Sequence, residues 1–146
     1  MKSQFLGIEI SMPWYDESIV ELRVAASNGV FAGQVKFYAG YGELKALAER
    51  IAGFPARIGD ERIFKIAEAV EMRFRCIDAP GHAVVEVSLR DEPRATTTPS
   101  TRMPAASQSV FLAVAIEAAA IDDFVRELAL VERKREGAAR LRAAGI

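Results

Sequence analysis

Cys76 and His82 are the only cysteine and the only histidine of the chain. Such a pair does nucleophilic chemistry when the imidazole reaches the thiol and the thiolate is stabilised. Cys76 falls on the same face of an alternating segment as Val70, Met72 and Phe74, where burial disfavours the thiolate and leaves the sulfur inert. His82 follows the turn Asp78-Ala79-Pro80-Gly81 and opens the next strand at the surface. A serine–histidine–aspartate triad would have to run through His82, and no serine sits in a nucleophile elbow. One histidine and one cysteine also fall short of the usual zinc sets. The doublets Asp16-Glu17, Asp60-Glu61, Asp91-Glu92 and Asp122-Asp123 place adjacent carboxylates on opposite faces of an extended chain, and none has calcium-loop spacing. Carboxylates from two doublets could meet for acid–base work, but any chain this rich in acids permits that. Gly40-Tyr41-Gly42 stands where a phosphate loop would, without the third glycine of the dinucleotide pattern or the Lys-Ser/Thr of a P-loop. The two glycines serve a tight strand-to-helix turn instead. No catalytic residue, cofactor or metal is expected.

The elements that would position any site repeat. Leu44, Leu47, Ala48, Ile51 and Phe54 form an apolar ladder, and Ile121, Phe124, Val125, Leu128 and Val131 repeat its spacing 77 positions later. A strand-like segment precedes each ladder: Phe31, Val35 and Phe37 before the first, Val110, Leu112 and Val114 before the second. The pattern predicts two strand–helix halves around one core. Leu6, Ile8 and Ile10 mark a first strand ending at Met12-Pro13-Trp14, where proline removes a ladder donor. Val20, Leu22 and Val24 mark a second, Asn28-Gly29 a hairpin turn, and Val30 to Tyr38 a third. Helix one stops at Gly53 before Pro55. A strand over Arg62–Ala67, the Cys76 strand and its partner through Val85, Val87 and Leu89 follow. Asp122 and Asp123 are placed in the first turn of helix two, where the dipole favours acids. The last strand, Val110 to Ile116, is apolar on both faces, since Phe111, Ala113 and Ala115 back the inward set. Either it is central and its back is covered by the chain, or that back meets another subunit.

Composition bounds the rest. A chain of 146 residues fits one domain with a substantial core. A net charge of −1 argues against a dedicated nucleic-acid binder. Met1 to Ser11 lacks a basic n-region followed by a long apolar h-region, so no signal peptide is expected. No apolar run approaches about 20 residues, so no membrane partner is expected. One cysteine excludes an intramolecular disulfide, and a cytoplasmic location follows by default. Residues 92–107, with Pro93, Pro99 and Pro104, read as a flexible loop, and residues 133–146 as a basic C-terminal tail. The fold class expected is α+β: a mainly antiparallel sheet of six or seven strands, with two amphipathic helices on one face, in a single domain over 1–146.

Three runs carry a family resemblance: GELKALAERIAGFP from Gly42 to Pro55, GHAVVEVSLRDE from Gly81 to Glu92, and IDDFVRELALV from Ile121 to Val131. Together they resemble a group of small bacterial proteins that includes uncharacterised members and immunity proteins encoded beside secreted polymorphic toxins. Members often place an Asp-Gln-Ser/Thr turn before the last helix, where this chain has Glu117-Ala118-Ala119-Ala120. The resemblance implies a non-enzymatic protein that neutralises a partner by binding it. It transfers no site residue. The residues themselves nominate Trp14 and Tyr15, exposed-looking aromatics that either anchor a partner or close one end of the core. Arg23, Lys36, Arg73, Arg75 and Phe111 complete the candidate partner-binding set, as a mixed-charge sheet face around an apolar centre. The partner would be another protein or a second copy of the chain; the alternatives are a structural, self-associating domain and, behind it, a small-ligand binder or enzyme.

Overall fold

A computed structural model describes residues 5–79, 81–91 and 108–145. Period-2 alternation becomes strand wherever it occurs: β1 (Gly7–Tyr15), β2 (Val20–Ser27), β3 (Ala32–Ala39), β4 (Glu61–Ile66), β5 (Val70–Cys76), β6 (Ala83–Asp91), β7 (Gln108–Ile116) and β8 (Ala138–Arg142). The two ladders become α1 (Glu43–Ile51) and α2 (Ala118–Lys134). The fold is α+β, but the strands form two four-stranded antiparallel sheets rather than one. Sheet A runs β3-β2-β1-β8 and sheet B runs β4-β5-β6-β7. Alternation tells which face of a strand is apolar; it carries no information on which sheet that strand joins.

The order β-β-β-α-β occurs twice, and the halves exchange their last strands. After α1 the chain crosses to sheet B, where β4 flanks β5; after α2 it crosses back, where β8 flanks β1. β4 and β8 begin at Glu61 and Ala138, again 77 positions apart. The helices do not lie together on one sheet face. They pack on each other, α1 beside β4 and α2 beside β8. Both ladders are buried, Leu47 and Phe124 completely, in one core with Ile10, Leu22, Phe74 and Val87 from the two inner sheet faces.

Further corrections follow from this arrangement. The basic tail contains a strand: Ala139 and Leu141 are buried while Arg140 and Arg142 point out, and β8 pairs with β1 from Ser11↔Ala138 to Gly7↔Arg142. Pro13 does not end β1; a bulge between Ser11 and Trp14 absorbs the missing donor, and pairing with β2 resumes. The 28–31 connection is four residues long, with Asn28 Oδ1 accepting from the N–H of Val30 and Phe31, and Phe31 is exposed. Because α2 begins at Ala118, Asp122 and Asp123 lie beyond its first turn. β7 is an edge strand, not a central one, and Phe111 is 63% exposed. The 92–107 loop lies outside the described residues.

The sheets approach closely where β3 meets β6 and β7. A Cβ on Gly33 would come within 2.6 Å of Val110 Cγ1, so glycine sets that distance. Edges are blunted by hydrogen bonds from elsewhere in the chain. Asn28 Nδ2 and the Ala144 N–H donate to the Ala113 and Ala115 carbonyls of β7. Arg50 Nε donates to the Ile63 carbonyl of β4, and Glu127 accepts from the Arg140 N–H of β8. Such capping opposes edge-to-edge pairing.

Candidate functional site

One end of sheet A opens into a cleft of about 440 Å³ lined by Ser11 to Tyr15 on one wall and Arg135, Glu136 and Gly137 on the other. The β1 bulge creates it. Pairing between β1 and β8 runs only to Ser11↔Ala138, so beyond the bulge β1 departs from the α2–β8 turn and continues along β2 alone.

Aromatic rings gather at this end. Trp14, Glu21 and Tyr38 occupy one row across three strands, and paired residues point to the same face. The Trp14 and Tyr38 rings meet edge to face at 6.0 Å, a favoured quadrupolar geometry. Trp14, Tyr15 and Tyr38 are 45%, 46% and 49% exposed. Tyr41, in the turn before α1, donates its hydroxyl to the Asp16 carbonyl. Asp16 in turn caps the β1–β2 turn, its carboxylate accepting from the N–H of Ser18 and Ile19 at 2.8 and 2.9 Å. The bond from the Ile19 N–H, then that from Ser18, hold the Asp16 carboxyl below its ordinary value.

Arg135 links these rings to the helix. It follows α2 in the left-handed region (φ 58°), its N–H closing on the Val131 carbonyl. This geometry swings the side chain across the sheet end, with the guanidinium 4.5 Å from the Tyr41 ring centre and 5.3 Å from that of Tyr15. Both are within cation–π range. Tyr38 and Tyr41 were not among the sequence candidates, and Arg135 entered only as one cation of the basic tail. The signal available for Arg135 was its place just before Glu136-Gly137, at the close of the second ladder.

The sequence candidates separate into two groups. Trp14 and Tyr15 line the cleft, and Arg23 and Lys36 are paired neighbours on the same outer face as Trp14 and Tyr38. Arg23 Nε donates to Gln34 Oε1 at 3.3 Å. Arg73, Arg75 and Phe111 belong to the outer face of sheet B, where Arg75 meets Glu86 at 3.3 Å and Glu61 at 3.8 Å. The single mixed-charge face does not form, because its members belong to two sheets whose inner sides share one core.

Cys76 and His82 both turn to Asp78: the buried thiol donates to its carbonyl at 3.4 Å, and His82 Nδ1 lies 2.9 Å from its carboxylate. No contact between the two completes a dyad among the described residues. Among those residues no group of three or more metal-ligating side chains forms, and no helix is long and apolar enough to cross a membrane. The cleft offers ring faces, a guanidinium and the Glu136 carboxylate. Against known proteins, the chain matches no family model, and neither a curated protein nor a solved structure is significantly similar to it.

Proposed function

We propose that this protein works by binding another protein through the open end of sheet A, as a non-enzymatic, immunity-type module that neutralises its partner. The observation that carries the reading is the cluster of Trp14, Tyr15 and Tyr38, each about half exposed and ordered by ring contacts with one another or with Arg135. Tryptophan, tyrosine and arginine dominate the energetics of protein interfaces, because they bury large rigid area at low entropic cost. The likeness of the Gly81–Glu92 and Ile121–Val131 runs to immunity proteins supports the same reading. A cytoplasmic site of action belongs to this proposal.

Calorimetry with the purified product of the neighbouring gene tests it. W14A and Y38A should each weaken binding by about tenfold or more, the scale of an interface hot spot, while their thermal midpoints stay near that of the parent chain. A neighbouring product that does not bind, or that binds the variants equally, overturns the proposal.

A second reading, self-association, is favoured by Phe111, which stands exposed beside the exposed Ala113 and Ala115 on the outer face of β7. Sedimentation would then give a dimer for the parent chain and a monomer for F111R. A parent chain that is monomeric at high micromolar concentration removes this reading.

A further inference from the structure

Resting on the reading of this end as a protein-binding surface, we infer that Arg135 is its specificity-determining residue and that it seats a carboxylate from an acidic segment of the partner. The argument begins with what holds the guanidinium. Tyr41 and Tyr15 fix it through their ring faces at 4.5 and 5.3 Å. A cation held by ring faces keeps its N–H donors, which lie in the guanidinium plane, for another acceptor. Several other arginines spend those donors within the chain: Arg62 on Asp60, Arg75 on Glu86, Arg140 on Glu9 and Arg142 on Glu127. Among the described residues, the Arg135 side chain makes the two ring contacts and no hydrogen bond or ion pair. A planar, pre-oriented guanidinium loses little entropy when it takes a carboxylate in a two-pronged pair.

The surroundings favour an anionic segment. Arg133 and Lys134 precede Arg135 and are exposed, and Arg23 and Lys36 lie on the outer face next to the Trp14–Tyr38 row. Carboxylates also stand nearby: Glu132, Glu136, Glu21 in the row between Trp14 and Tyr38, and Asp16 beside Tyr41. Glu132 is already engaged, accepting from the Lys45 N–H at 3.3 Å. The Asp16 carboxylate is engaged by the N–H groups of Ser18 and Ile19. Glu21 and Glu136, the latter lining the cleft opposite Trp14, set where a second negative charge on the partner would be repelled. The aromatic wall beside Arg135 suits the flat, apolar residues that separate acids in such a segment, proline among them.

The probe is an acetylated hexapeptide alternating glutamate and proline, with a control carrying glutamine in place of glutamate. Heteronuclear NMR titration of the whole chain should give saturable shifts at Trp14, Tyr15, Arg135 and Gly137, with the glutamine peptide weaker by about tenfold or more. R135K keeps the charge and loses the fork, so its affinity should fall by a similar factor while its melting curve overlays the parent's. Should R135K melt early, Y41L, which removes one ring holding the guanidinium, gives the same readout. Equal binding of the two peptides, R135K binding within about twofold of the parent, or no saturable shift at millimolar peptide each overturn the inference. A neighbouring-gene product that discriminates against W14A but tolerates R135K would sink this inference alone; one that tolerates both would remove the protein-binding proposal with it.

Discussion

The two hairpin ends of the molecule start from the same device and finish differently. Asp16 caps the β1–β2 turn and Asp78 the β5–β6 turn, 62 positions apart in corresponding places of the two halves. At the sheet B end, rings and cations turn inward. Phe54 packs edge to face on Phe74 at 5.9 Å, and Arg62 covers Phe54 at 5.6 Å while bonding Asp60 at 2.9 Å. The Asp60 backbone also binds Cys76 at the end of β5. At the sheet A end the same kinds of side chain turn outward, with Trp14, Tyr15, Tyr38 and Arg135 around an open cleft. A repeated scaffold thus uses aromatic–cation pairs once to close a core and once to furnish a surface. Two features of this end correlate with the difference: the bulge that parts β1 from β8, and the left-handed Arg135.

The sharpest way to break that comparison is at the closed end. Phe74 is fully buried, and its ring is the partner of Phe54. Phe74→Ala should cost about 3–5 kcal/mol, the usual scale for truncating a buried aromatic, measured by urea unfolding. A loss below about 1 kcal/mol, the range of ordinary surface changes, would mean the closed end is not part of the structural core.

Asp60 comes next. It is nearly buried and accepts from the Ala56 N–H at 2.8 Å and from the Arg62 guanidinium. The hydrogen bond from Arg62 is the main cause holding its carboxyl below the ordinary 3.8, with the Ala56 N–H second. A carboxyl depressed on folding contributes stability that is fully present above its unfolded value and is lost as pH falls through the folded one. Stability should therefore decline below about pH 4, and Asp60→Asn should flatten that acid limb while costing about 1–2 kcal/mol at neutral pH. An unchanged acid limb in Asp60→Asn would show that the closed end is not held by this ion pair.

How much of this was legible in the sequence differs between the two ends. Local periodicity identified both helices, and strands such as β5, because Leu44 to Phe54 and Val70 to Cys76 carry their faces in their own spacing. The pairing of β1 with β8 was hidden: its partners lie more than a hundred positions apart, and Arg140 and Arg142 disguised a strand as a basic tail. The division into two sheets was hidden for the same reason, since alternation is indifferent to which neighbour a strand finds. At the candidate site, Trp14 and Tyr15 stood out by type beside Pro13. Tyr38, Tyr41 and Arg135 join them only through strand pairing and one left-handed residue, so no spacing in the sequence connects them.

The capping aspartates give a smaller, local effect that sharpens the likeness of the two turns. The Asp78 carboxyl is lowered chiefly by its bond with the His82 side chain, the Asp16 carboxyl by the Ile19 N–H. Both should titrate below 3.8 by carbon-detected NMR. His82→Ala should move Asp78 back toward the ordinary value and leave Asp16 unmoved. A joint shift of both would mean that the ends are electrostatically coupled rather than independent copies.

The smallest expected change in stability is at Trp14, and it bears most on what the open end is for. The indole is half exposed, and its ring partner Tyr38 is half exposed as well. Exposed edge-to-face pairs contribute about 0.5–1.5 kcal/mol at most, and the solvent-facing half of each ring loses nothing when the other is removed. Trp14→Ala should therefore cost no more than about 1.5 kcal/mol in the urea melt that Phe74→Ala shifts by several. A tryptophan is a costly residue to leave facing water, so its small share of stability calls for a reason outside folding. Recognition supplies one, because the area left bare in the free protein is the area a partner covers. If Trp14→Ala destabilises the chain as severely as Phe74→Ala, the indole is a lid on the core, the two ends are alike after all, and the open end loses its claim to bind anything.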